Sequence, residues 1–303
     1  MDRRSDVAEA EGLAGRSASP EQVGTSLQEV GYLPDERIAS VVYLGDRLGK
    51  PVLVEGPAGT GKTQLAKSVA AMYGMRLIRL QCYEGLDEAK ALYEWNYSKQ
   101  LLRIQAERAG CDRADWSELQ ADIFSEEFLL TRPLLEAIRA RDPVVLLIDE
   151  VDRLDIETEA LLLEVLSDYQ VSIPEFGTIT GAQKPLVFLT SNNSRDLSEA
   201  LKRRCLYLYL DYPAPEREQA IVLRRVPDLS VALADQITRV VGSLRRLELK
   251  KRPSVSETID WARTLSLLGV AEISTELVID TLHVLLKHQP DIEKAAVEFS
   301  RTR

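Results

Sequence analysis

The chain has 303 residues, 45% hydrophobic and 28% charged, with a formal net charge of −10. That length suits about two domains with a sizeable core, and the acidic balance argues against a general nucleic-acid or anionic-membrane binder, since neither surface attracts it. The charge is uneven, with 24 Lys/Arg against 35 Asp/Glu in residues 1–213 and 14 against 13 in residues 214–303.

Residues 1–28 are Ala/Gly/Ser-rich and polar, with no continuous apolar stretch, and read as a flexible tail rather than a signal peptide. Glu36 to Leu48 carries a helical apolar stripe at Ile38, Val41, Val42 and Leu48. Pro51 to Glu55 reads as a short strand, then a glycine-rich turn, a helix from Lys62 to Tyr73 and a strand from Arg76 to Cys82. Residues 86–125 are more polar, read as helix-rich, and carry Trp95, Tyr97 and Trp116. Pro143 to Ile148 (PVVLLI) is the continuous apolar run of a strand buried on both faces of a parallel sheet. A helix follows over Glu157–Asp168, a β-hairpin over Gln170–Gln183, and buried strands over Leu186–Thr190 and Leu206–Leu210. Beyond Pro213 strand signals vanish and helical patterns take over. The expected architecture is an α/β nucleotide-binding domain over residues 29–213, with a parallel sheet in an αβα sandwich, followed by a helical domain over 214–303.

Cys82, Cys111 and Cys205 are too widely spaced for a disulfide framework or a CxxC site, and only two histidines accompany them. Reduced thiols in a cytoplasmic protein are expected. No apolar run approaches the ~20 residues of a membrane span.

Gly56-Pro57-Ala58-Gly59-Thr60-Gly61-Lys62-Thr63 matches GxxxxGK[ST] between a strand and a helix, the context that a phosphate loop requires. Glycines let backbone N–H groups close around phosphate oxygens at a helix N-terminus, where the dipole favours anions. Lys62 is expected on the β- and γ-phosphates of ATP, and the Thr63 hydroxyl on Mg²⁺. Asp149-Glu150 ends the apolar strand Pro143–Ile148. A carboxylate there sits beside the phosphate loop in an open α/β sheet, so Asp149 is expected to hold Mg²⁺ and Glu150 to act as general base on water. Asn192 or Asn193, at the end of LVFLTSNN, either orients the attacking water or serves as a plain turn residue. Lys202-Arg203-Arg204 admits two readings, an arginine finger reaching a neighbouring subunit's nucleotide or a solvated helix end that favours cations.

The order of phosphate loop, Asp-Glu strand, hairpin, Asn strand and Arg cluster before a helical domain resembles an AAA+ ATPase over nearly all of residues 29–300. The hairpin ahead of LVFLTSN is similar to that of the MoxR branch, and LIRLQCYEGLD, YEWNY, LLEVLSDYQVSIPEFGTI and ALKRRCLY to its CoxD-like members, accessory ATPases of molybdenum-containing carbon monoxide dehydrogenase and related hydroxylases. The resemblance implies that Gly56–Thr63 is the Walker A loop, Asp149/Glu150 the Walker B pair and Asn192 the sensor-1 residue. It implies Arg203 as the finger, with Arg204 adjacent and able to act in its place, and residues 214–303 as a lid. It further implies a homo-oligomeric, hexameric ring, a partner with a von Willebrand factor A (VWA) domain, and a molybdenum hydroxylase client for a chaperone. One departure stands out: Ser256 lies where the branch carries its sensor-2 arginine, with Arg252 or Lys251 nearest to supply the charge. That departure leaves open an ATP-gated switch in a regulatory or defence operon with low turnover.

Overall fold

The computed structural model describes residues 16–109 and 122–301, so Cys111 and Trp116 lie outside the described residues. The tail expected over 1–28 is corrected where the chain is described. Pro20–Glu29 is a helix (α1), capped by Ser19, whose side chain accepts from the Gln22 N–H, with Pro20 in its first turn. Val23 and Leu27, one turn apart, bury against Glu36–Leu48 (α2). Two apolar residues among polar neighbours are too sparse a stripe to read as a helix; the tertiary contact stabilises it.

The central sheet is built from Val52–Glu55 (β1), Arg76–Gln81 (β2), Val144–Asp149 (β5), Leu186–Ser191 (β8) and Leu206–Tyr209 (β9), all parallel, in the order β2-β5-β8-β1-β9. Its strands alternate between two cores, as a strand period of two requires. Leu146, Ile148, Val187 and Leu189 face one core and Val145, Leu147, Leu186 and Phe188 the other. Lys62–Met72 (α3) follows β1, and Ile156–Asp168 (α7), capped by Asp155, follows β5.

The segment read as helix-rich is mixed. Glu88–Ala91 (α4) leads into Tyr93–Trp95 (β3), then Tyr97–Ala109 (α5). Strand β3 pairs antiparallel with Leu129–Thr131 (β4), ahead of Pro133–Ile138 (α6). Trp95 is buried edge-on against Phe124 and Phe176, whereas Tyr97 is exposed. The hairpin forms from Gln170–Ile173 (β6) and Gly177–Thr180 (β7). Glu199–Arg204 (α8) precedes β9.

The C-terminal part is entirely helical among the described residues: Pro215–Arg225 (α9), Val231–Arg246 (α10), Val255–Leu267 (α11), Thr275–Leu285 (α12) and Gln289–Arg301 (α13). They close around a separate core containing Ile237, Val241, Trp261 and Leu282, with the Trp261 indole N–H donating to Thr281 Oγ1 at 2.8 Å.

Candidate active site

Strand β1 ends at Glu55 and the loop 56–61 turns directly into α3. Gly56, Gly59 and Gly61 take φ of 149°, 74° and 95°, which side chains resist. Space forbids a side chain as well: a Cβ on Gly56 would lie 2.0 Å from the Leu210 carbonyl, and one on Gly59 2.1 Å from Ser254 Oγ. The chain therefore wraps the N-terminus of α3 in bare backbone, with Pro57, Ala58 and Thr60 between the glycines; Thr60 Oγ1 donates to the Pro57 carbonyl at 2.9 Å. Lys62 is buried, and its Nζ donates to the Gly56 and Pro57 carbonyls at 2.7 Å each. Burial pulls its amine down to about 8, although Asp152, Asp149 and Glu150 act against that. An ammonium held only by neutral carbonyls is poised to take an anion.

Asp149, at the carboxyl end of β5, is 2% exposed. Its Oδ1 accepts from Thr63 Oγ1 at 2.9 Å and Thr190 Oγ1 at 2.5 Å, and its Oδ2 from the Arg79 guanidinium. Glu150 stands in a left-handed conformation, φ 59°. Its N–H donates to Thr190 Oγ1 at 2.9 Å, and its Oε2 accepts from Gln81 Nε2 at 3.2 Å and Arg153 Nε at 2.8 Å. Burial would raise the Asp152 carboxyl, but hydrogen bonds from the Ser194 hydroxyl and amide outweigh it and hold it below the usual range. Asn192 follows the last residue of β8, beside the start of the loop, since Ser191 pairs with Glu55. Asn193 takes the turn conformation, φ 57°.

Residues 52–210 match the ATPase family associated with various cellular activities (AAA). The chain belongs to the AAA family. Among its relatives are the denitrification regulatory proteins NirQ of Stutzerimonas stutzeri, 24% identical over 217 residues and 69% of either chain, and of Pseudomonas aeruginosa, 24% identical over 70% of this chain and 74% of that one. Among solved structures, a Thermotoga maritima RuvB mutant is similar with a TM-score of 0.49 and 20% identity, covering 84% of this chain and 70% of that one. The T. maritima RuvB Holliday junction branch migration motor gives 0.45 at 19% identity, covering 89% and 72%.

The AAA protein's remaining cations separate clearly. Arg203 is exposed and, among the described residues, has no hydrogen-bond or ion-pair partner; Arg204 donates to Ser167 Oγ at 2.7 Å and to the Ala200 carbonyl at 3.3 Å. A cavity of about 630 Å³ opens between the loop and the C-terminal helices, lined by Tyr32, Gly61, Arg217, Ser256 and Arg263 among others. Lys251 and Arg252 are absent from that lining; Lys251 lies 4.0 Å from Glu257. The Gly59 backbone packs against Ser254, the N-cap of α11.

Sequence reasoning missed Arg79, Gln81 and Thr190. Arg79 and Gln81 are polar positions of a strand that also carries Arg76, and Thr190 ends an apolar run, so nothing local in the sequence singles them out. Both described thiols, Cys82 and Cys205, are pushed up to about 12 by burial, which leaves them inert at neutral pH. No group of three His, Cys, Asp or Glu that could hold a metal occurs among the described residues, and no helix there is long and apolar enough to cross a membrane.

Proposed function

We propose that this AAA protein binds ATP with Mg²⁺ and hydrolyses it at the interfaces of a head-to-tail homo-oligomeric ring, as a cytoplasmic remodelling ATPase of the MoxR type. The observation that carries this is the Lys62–Thr63–Asp149 constellation: a buried ammonium in a bare-backbone loop, beside a hydroxyl bonded to a buried carboxylate. The oxygen donors Thr63 Oγ1 and Asp149 fit Mg²⁺, which is usually held by one or two carboxylates together with substrate phosphates rather than by an all-protein cage. Bound there, the ion would polarise phosphoryl oxygens and neutralise developing charge.

The chain's own groups have distinct tasks. Backbone N–H groups of Gly56–Thr63 cradle the phosphates, and Lys62 turns from its loop carbonyls to the β- and γ-phosphates. Glu150 takes a proton from the attacking water at a carboxylate oxygen, with Asn192 orienting that water. Arg203 is free to stabilise charge on a neighbouring subunit's nucleotide, whereas Arg204 is engaged with its own chain, which favours Arg203 as the finger. The cavity is lined by Arg37, Arg217, Arg224, Arg225 and Arg263 and by neither Lys251 nor Arg252, which supports an arginine of that lining as the cation facing the nucleotide where Ser256 replaces the sensor-2 arginine.

The ring's proposed work is maturation of a molybdenum hydroxylase metal site with a VWA-domain partner, on the strength of the CoxD-like segments. A second reading, an ATP-gated regulatory switch with little turnover, is favoured by similarity to the NirQ denitrification regulatory proteins and by Ser256. Lys62→Ala should reduce ATP binding at least about 100-fold. Glu150→Gln should bind ATP yet hydrolyse at background. Equal ATP affinity in Lys62→Ala would overturn the site; partner-independent background turnover in the unaltered protein would favour the switch.

A further inference from the structure

We propose that Arg79 is a resident counter-cation for Asp149, which Mg²⁺ must displace when it arrives with nucleotide, so that Arg79 sets the metal concentration at which the site loads. The inference rests on the reading of Asp149 as the metal-side carboxylate.

The placement follows from the sheet. In β2, Leu77, Arg79 and Gln81 share one face by strand alternation, and the β2–β5 register pairs Gln81 with Asp149 and Arg79 with Leu147. The long Arg79 side chain thus runs along the strand toward the carboxyl edge. There its Nε and Nη2 donate to Asp149 Oδ2 at 3.1 and 2.5 Å, while Nη2 also donates to Gln81 Oε1.

A carboxylate as buried as Asp149 has to be neutralised. Its other contacts, Thr63 and Thr190, are hydroxyls and bring no charge. Lys62, the nearest alternative on the loop, spends its hydrogen bonds on the Gly56 and Pro57 carbonyls. Arg79 therefore supplies the full positive charge that directly touches Asp149.

Mg²⁺ needs the same carboxylate, directly or through its water shell, with near-octahedral geometry. A guanidinium at contact distance from Oδ2 blocks that oxygen and repels a dication across a few ångströms. The two cations exclude each other. Arg79 has somewhere to go, because its side chain is 45% exposed at the sheet edge, and Gln81 is a second anchor when Asp149 is surrendered.

The test uses the full chain and fluorescently labelled ADP titrated with MgCl₂ or EDTA. Relative to the unaltered protein, Arg79→Gln should lower the Mg²⁺ concentration for half-maximal binding about tenfold, one charge-assisted contact's worth, while metal-free ADP affinity stays within about twofold. Arg79→Lys, which keeps the charge but loses the fork, should fall between them. An unchanged or raised Mg²⁺ midpoint in both variants, with metal-free ADP affinity intact, would overturn the displacement and make Arg79 a positioning residue for Asp149. Should Arg79→Gln fail to hold metal-free ADP because it is misfolded, Arg79→Lys alone decides. If the unaltered protein binds labelled ADP under neither condition, the nucleotide reading itself fails.

Discussion

Lys62 combines the sharpest sequence signal with the most pH-sensitive environment in the site. Its amine titrates near 8 in the folded chain against an ordinary value of 10.5, because burial disfavours the charged form. Below pH 8 both folded and unfolded chains hold the proton, and the cost of burying the charge is present in full. Between 8 and 10.5 the unfolded chain keeps a proton that the folded one has released, so this group makes stability rise with pH across that window. Phosphate contact draws the proton back, so nucleotide affinity should fall by up to about tenfold per pH unit above 8. Calorimetric titration of ADP from pH 7 to 9.5, in buffers of different ionisation enthalpy, should show proton uptake. A flat affinity across that range would mean that Lys62 is not the phosphate ligand. The Gly56–Thr63 loop was legible because its chemistry is contiguous. Arg79, Gln81 and Thr190 were not, because strands distant in sequence bring them onto the same two carboxylates.

Among the elements, the junction of α9, α10 and α11 is held by a buried ion pair. Glu218, 2% exposed, accepts from Arg245 Nη1 at 2.5 Å, from Nη2 at 2.8 Å and from Thr258 Oγ1 at 2.8 Å. Arg245 also donates to the Pro253 carbonyl and stacks 4.5 Å from the Tyr212 ring, which joins the helices to the strand domain. In the sequence Arg245-Arg246 is a plain basic pair, but only Arg245 turns inward to meet Glu218. Removing one partner of such a pair leaves a buried charge, so Glu218→Ala should lower the opening free energy of α10 and α11 by roughly 3–5 kcal/mol. Amide hydrogen exchange should show the loss there and leave β5 and β8 protected as before. The same junction sets Ser254 against Gly59, so loosening these helices loosens the phosphate loop.

For the whole molecule, the charge split bears on assembly. Residues 1–213 carry a net −11 and residues 214–303 a net +1, a distribution suited to packing exposed arginines of one subunit against acidic faces of the next. If Arg203 acts in trans, then Arg203→Ala and Glu150→Gln subunits, each inactive alone, should regain partial ATPase activity when mixed, because some interfaces unite an intact base with an intact finger. No recovery at any mixing ratio would assign Arg203 a role within its own subunit.

The amino-acid sequence by itself determined the phosphate loop, the Asp149-Glu150 pair, the parallel sheet and the change to helices after Pro213, since each is written in contiguous residues with a fixed period or spacing. Only the tertiary structure decided that Pro20–Glu29 is a helix, because two apolar residues count for little until α2 covers them. Likewise it decided which arginine of α8 is bound to its own chain, that Arg245 turns inward to Glu218, and that Arg79 lies on Asp149. In each case the deciding term is a contact, apolar for the helix and polar or ionic for the arginines, with a partner brought in from elsewhere in the chain, and a linear pattern carries no record of that distance.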